Sequence, residues 1–199
     1  MIAIVDYGAG NLRSVQKAFE YLQVESQVVS SRAELRGADG LVLPGVGAFG
    51  TAAKRLRGSG LFDTVQEWLR SGDPFLGICL GMQLLFEGSS ESPGVEGLGV
   101  FKGTCLPFKE GKVPQIGWNQ IQIQEGSRLL EGVDDGSFFY FLHGYYVETG
   151  DTRMVTALTQ YGVTYPSVVE RGNVMAVQFH PEKSGELGLR LLQNWVESC

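Results

Sequence analysis

Four short apolar runs constrain this chain more than any other feature. Ile2-Ala3-Ile4-Val5, Gly40-Leu41-Val42-Leu43, Pro74-Phe75-Leu76-Gly77-Ile78 and Val174-Met175-Ala176-Val177 are too short for buried helices and show no polar alternation. They read as strands covered on both faces. Gln27 to Ser30 gives a further strand. Helical spacing fills the gaps: Leu12, Val15, Phe19 and Leu22 follow a cap at Asn11, and Leu61, Val65, Trp68 and Leu69 precede the third run. This βαβα rhythm predicts a mostly parallel central sheet with helices on both faces, whose sites lie at the C-terminal ends of the strands.

From about Gly94 to Gly172 the pattern changes. Val113 to Gln124, Phe138 to Glu148, Met154 to Gln160 and Pro166 to Glu170 read as strands joined by polar turns, antiparallel additions to the same sheet. A last helix carries Leu187, Leu191, Leu192 and Trp195 on one face. No linker, repeat or low-complexity segment interrupts the chain, so residues 1–199 read as a single domain.

Lys and Arg total 16 against 22 Asp and Glu, a net charge of -6, and no basic run is interleaved with aromatics. Nucleic acid is therefore not the expected partner. Three cysteines without C-x-x-C or metal-like spacing suit a reducing cytosol, and no metal or other cofactor is expected. Met1 to Asp6 lacks a basic flank and is too short to be a signal or a membrane span. A cytoplasmic protein is the expectation.

Chemistry concentrates at Gly77-Ile78-Cys79-Leu80-Gly81, a strand end followed by a helix start at Leu80 to Phe86. Glycines two residues to either side permit the tight turn that lifts a nucleophile clear of a sheet, and the helix start favours an anionic sulfur. The competing reading is a buried structural cysteine. Only two histidines are present, His143 and His180. His180 ends the Val174 run in Gln178-Phe179-His180-Pro181-Glu182-Lys183-Ser184. Pro181 between them holds the backbone extended, so Glu182 points to the same side as His180 and can orient its imidazole. Cys79, His180 and Glu182 thus form a candidate nucleophile, base and orienter, while His143 reads as structural. Asp6-Tyr7-Gly8-Ala9-Gly10-Asn11 lacks the third glycine of a dinucleotide loop, which falls at Arg13. Pro44-Gly45-Val46-Gly47-Ala48-Phe49-Gly50 offers small residues whose N–H groups can approach a ligand, or a plain βα turn.

Together with Ile116-Gly117-Trp118-Asn119 and Tyr140-Phe141-Leu142-His143, these segments resemble the class I (triad) glutamine amidotransferases over nearly the whole chain. Within that family they are most similar to the glutaminase subunits serving imidazole glycerol phosphate synthase in histidine biosynthesis. The resemblance implies a flavodoxin-like fold and hydrolysis of L-glutamine through a Cys79 thioester. It implies an oxyanion hole from the N–H groups of Val46 and Leu80, and glutamine contacts at Gly47, Gln83, Glu91, Gly144 and Tyr145. Ammonia would pass to a cyclase subunit with a (β/α)₈ barrel that forms imidazole glycerol phosphate and AICAR, in a heterodimer contacted through Asn11, Trp118, Tyr140 and Lys183. Control by that partner would use Pro44 to Gly47 as a hinge, so Gly45→Ala is expected to alter activation without weakening docking. Two departures stand out: Gln115 where a histidine often occurs, and Gly144 where a hydroxyl residue often follows His143. Rival readings are another synthase's glutaminase, a silent scaffold with this fold, and a cysteine hydrolase acting on other amides.

Overall fold

The computed structural model describes residues 1–124 and 126–199. Its first half runs β1 (Ile2–Val5), α1 (Leu12–Tyr21), β2 (Ser26–Val29), β3 (Gly40–Gly45), α2 (Phe49–Gly58), α3 (Leu61–Ser71), β4 (Phe75–Cys79) and α4 (Leu80–Leu84). The second half holds β5 (Gly88–Ser89), β6 (Thr104–Pro107), β7 (Gln115–Gln120), β8 (Gln122–Ile123), β9 (Phe138–His143) and β10 (Tyr145–Glu148). It closes with β11 (Val155–Tyr161), β12 (Val163–Arg171), β13 (Val174–Val177) and α5 (Gly185–Glu197). Spacing did not mark α2, because its buried face is built largely of small residues, Gly50, Ala52 and Ala53, between Phe49 and Leu56. Such a face carries little periodic signal.

The main sheet has the order β2-β1-β3-β4-β13-β12-β11-β8. Its first five strands are parallel, in flavodoxin-like order, and the last three are antiparallel additions. Alternation along each buried strand divides the core in two. Ala3, Val5, Leu41, Leu43, Phe75 and Ala176 pack with α2 and α3 on one face. Ile2, Ile4, Val42, Leu76, Ile78, Met175 and Val177 pack with α1 and α5 on the other. Phe19 of α1 meets Trp195 of α5 there, ring centroids 6.1 Å apart. Full burial of each such side chain contributes roughly 1.5–3 kcal/mol, which is what holds both helices down.

Two predicted additions lie elsewhere. β7 and β9 pair only with each other, and β10 joins β6 and β5 in a small separate sheet. The reason is the period of β9: Phe139, Phe141 and His143 are buried while Phe138 is exposed. Phe139 stacks on Phe179 with centroids 4.2 Å apart, and Phe141 meets Tyr165 edge-on. The β7–β9 ribbon therefore covers a face of the main sheet instead of lengthening its edge. Among the described residues no helix is long and apolar enough to cross a membrane.

Candidate active site

β1, β3, β4 and β13 are parallel neighbours, and the segments leaving their C-terminal ends meet at one rim of the sheet. Cys79 ends β4 with φ 55° and ψ -108°, one of two non-glycine residues with positive φ among those described. That conformation costs an L-residue about 1–3 kcal/mol. The flanking glycines make it possible by close approach. A Cβ on Gly81 would overlap the Leu43 carbonyl oxygen and sit 2.9 Å from its carbon; one on Gly77 would lie 3.0 Å from the Gly81 backbone. α4 is shorter than the sequence suggested, Leu80–Leu84, because Leu85 and Phe86 bond three residues back, to Met82 and Gln83. So short a helix adds little macrodipole, and what it offers the sulfur is its unpaired first N–H groups.

Across the rim, His180 Nδ1–H donates to Glu182 Oε1 at 2.8 Å, with both side chains almost wholly buried. The expected extended link is absent: Pro181–Lys183 forms a 3₁₀ turn, with the Lys183 N–H on the His180 carbonyl at 3.0 Å. Proline suits the first position of such a turn, and the turn still brings Glu182 back onto the ring. The His180 N–H is tied to the Tyr140 carbonyl at 2.9 Å. Burial pulls the His180 pKa down, but the nearby Cys79 and the hydrogen bond and charge of Glu182 outweigh it and lift it to about 10. The site therefore favours a protonated His180 beside the Cys79 sulfur.

Cys79 opens onto a cavity of about 270 Å³, lined also by Val46, Gly47, Leu80, Gln83, Glu91, Gly144 and Tyr145. Every residue carried over for the oxyanion and for glutamine is thus at this cavity. Gln83 has both N–H groups engaged, on the Tyr145 carbonyl at 2.9 Å and Gln178 Oε1 at 3.0 Å, so Oε1 is what it offers a ligand. Glu91 also serves α2, where its Oε2 accepts the Phe49 N–H at 2.7 Å and neighbouring Ser92 accepts the Gly50 N–H at 3.1 Å. Together they cap this helix, whose own first residue supplies no side-chain cap.

A family model for glutamine amidotransferase class-I matches residues 3–199. This chain belongs to the class-I glutamine amidotransferases. Similar proteins include the imidazole glycerol phosphate synthase subunit HisH of Herpetosiphon aurantiacus, 50% identical over 99% of this chain and 94% of that protein. The HisH subunit of Methanothermobacter thermautotrophicus is 51% identical over 99% of this chain and 98% of its own length. Among solved structures, a crystal structure of a glutamine amidotransferase aligns with TM-score 0.78 at 24% identity, covering 99% of this chain and 98% of that one. The PurLQS structure from Thermotoga maritima gives 0.77 at 20% identity, over 99% and 97% of the two chains. These structures share the fold.

The Gly45→Ala test of the Pro44 to Gly47 hinge needs a correction. A Cβ on Gly45 would collide with the Tyr7 hydroxyl and lie 2.9 Å from Leu80 Cβ, whereas Gly47 has φ +99° and open space. Gly45 is thus small for packing, and the backbone freedom belongs to Gly47. Gly45→Ala is expected to lower stability by about 1–3 kcal/mol through overpacking, read as a fall in Tm, before any effect on a partner is measured.

His143 is structural, as its sequence context suggested. Its Nδ1–H donates to the Tyr145 carbonyl at 2.8 Å, Nε2 lies 3.2 Å from the Tyr165 hydroxyl, and burial pushes its pKa down to about 4. Neutral His143 shapes the cavity wall at Tyr145. Gln115, one of the two departures, is buried and accepts from the Tyr165 hydroxyl at 2.9 Å, on the far side of that wall. The remaining residues lie outside the cavity. Trp118 is 56% exposed and faces Tyr140 across the ribbon at 6.2 Å, with Lys183 Nζ 5.8 Å above the Tyr140 ring. Asn11 is exposed and accepts the Ser14 N–H at 3.4 Å, capping α1. Sequence reading missed Gln178 and Tyr7. A glutamine continuing an apolar strand run was the available signal for the first, since a buried amide needs partners. Tyr7, buried with its hydroxyl on the Pro44 carbonyl at 3.0 Å, gave none. Among the described residues no group of three His, Cys, Asp or Glu is placed to hold a metal ion.

Proposed function

We propose that this chain, acting as one amidotransferase domain in the cytoplasm, is the glutaminase subunit of an imidazole glycerol phosphate synthase. The observation that carries the chemistry is Cys79, held at a strained strand end beside the buried His180–Glu182 pair and open to a small cavity. The resemblance to HisH subunits at about half identity over nearly full length supports the choice of synthase.

In this reading the Cys79 thiolate attacks the side-chain carbonyl carbon of glutamine. The oxyanion so formed is held by the N–H groups of Val46 and Leu80; one such donor is worth about 3–4 kcal/mol of barrier. His180 gives its Nε2 proton to the departing ammonia, leaving a γ-glutamyl thioester on Cys79. His180 then takes a proton from water as it attacks, and glutamate leaves. Glu182 keeps Nδ1 protonated throughout, so Nε2 is the atom that works. Glu91 would receive the α-ammonium, with Gly47, Gln83 Oε1, Gly144 and Tyr145 completing the glutamine contacts.

Ammonia would leave toward a (β/α)₈ cyclase partner seated on the β7–β9 ribbon. Exposed large apolar side chains support that face: Ile116, Trp118 and Phe138 all lie on its outer surface, alongside Tyr140 and near Lys183. Large apolar side chains in such concentration mark docking surfaces. The test is glutamate release by this chain alone, then with an imidazole glycerol phosphate synthase cyclase subunit and its nucleotide ligand. A low rate that rises by orders of magnitude in the mixture, and vanishes in Cys79→Ala, is expected. No rise with this cyclase would point to another synthase.

A further inference from the structure

Gln178 is wholly buried, directly after β13 and two residues before His180. A buried primary amide needs partners for an acceptor oxygen and two N–H groups. Its Oε1 accepts from Gln83 Nε2 at 3.0 Å, and its Nε2 lies 3.7 Å from Cys79 Sγ. Gln83 is itself fixed by the Tyr145 carbonyl, which also accepts from His143. This chain of contacts settles which end of the amide meets the sulfur: with Oε1 occupied by a donor, an N–H faces Cys79.

We propose that Gln178 is a further catalytic residue, donating an N–H to the Cys79 thiolate; the inference rests on Cys79 being the nucleophile. As a thiol, Cys79 has a second outlet, since its S–H points to the Leu142 carbonyl at 3.7 Å. On ionisation that contact turns unfavourable, because a carbonyl dipole then faces a negative sulfur. The Gln178 N–H does the reverse and becomes a charge-assisted donor. It therefore favours the ionised form selectively, which is what a nucleophile working near neutral pH requires. The titratable groups around the sulfur are His180 after β13, Tyr7 after β1 and Tyr165 on β12. Burial keeps both phenols protonated, and His180 must release its proton during the reaction. Gln178 is a donor that never gives its proton up.

The test is the pH dependence of Cys79 alkylation by iodoacetamide in the full chain. It is followed on the Cys79 peptide by mass spectrometry, so that exposed Cys199 does not contribute. Gln178→Met keeps the length and removes the donor. About tenfold slower alkylation at pH 7 is expected, with the curve displaced to higher pH and the same plateau, as for loss of one charge-assisted hydrogen bond. Gln178→Glu has the native shape, places a carboxylate there and should displace the curve further; it carries the test if Gln178→Met does not fold. Curves superimposed on the native one in a folded variant, or rates lowered equally at every pH, overturn the proposal. Hydrolysis of glutamine persisting in Cys79→Ala overturns instead the assignment of the nucleophile.

Discussion

Cys79→Gly is expected to abolish glutamine hydrolysis and yet to melt higher than Cys79→Ala. At most positions the order of stability runs the other way, because glycine loses more backbone entropy on folding than alanine, by roughly 0.5–1 kcal/mol. At φ 55° and ψ -108° an alanine keeps the steric penalty of a Cβ and a glycine does not. The net preference for glycine is about 1–2 kcal/mol, or roughly 2–8 °C in Tm for a chain of this size. Both variants lose the sulfur, so hydrolysis should fall at least ~10⁴-fold in each, as when a nucleophile is removed from residues acting as a unit. Calorimetry of the two variants beside a glutamate-release assay checks both halves. Equal melting temperatures would mean that Cys79 is not held in strain.

That strain also shows where sequence reading succeeds and where it stops. The first half was legible because β1, β3 and β4 are buried on both faces, which leaves an unbroken apolar signature, and α1 and α3 carry periodic faces. Cys79 and His180 could be placed at strand ends, since glycine spacing and a shortage of histidines are both local facts. What the sequence hid was long-range. Whether Phe139 and Phe141 extend a sheet or cover its face depends on Phe179 and Tyr165, which lie far along the chain. The turn at Pro181–Lys183 delivers Glu182 to His180 by a path opposite to the extended one expected, because i to i+2 spacing is compatible with both. Gln178 is polar in an apolar context, but its partners Gln83 and Cys79 come from another strand–helix unit. Gly45 and Gly47 look alike in sequence, and only Tyr7 and Leu80 distinguish the one that must be small.

Glu182→Gln should lower kcat by about 10²–10⁴-fold with little change in KM, since the carboxylate is buried behind the imidazole and lines no part of the cavity. A carboxylate can only accept, so it fixes the proton on Nδ1. An amide can instead present an N–H there and hold the tautomer whose Nε2 carries the only ring proton, which cannot act as base. The same substitution changes how stability depends on pH. His180 has its pKa raised from 6.5 to about 10: burial opposes the rise, while Cys79 and then Glu182 drive it. A raised pKa means that the folded state holds a proton the unfolded state releases. The stabilisation is therefore complete below about pH 6.5, fades as pH climbs, and is gone above about pH 10. Removing Glu182 weakens one of the two supports for that proton. The stability gap between native protein and Glu182→Gln should accordingly be widest near pH 6 and narrow steadily toward pH 10. Denaturant melts of both proteins across that range measure it, and a gap that widens with pH would mean that Glu182 does not support a charged His180.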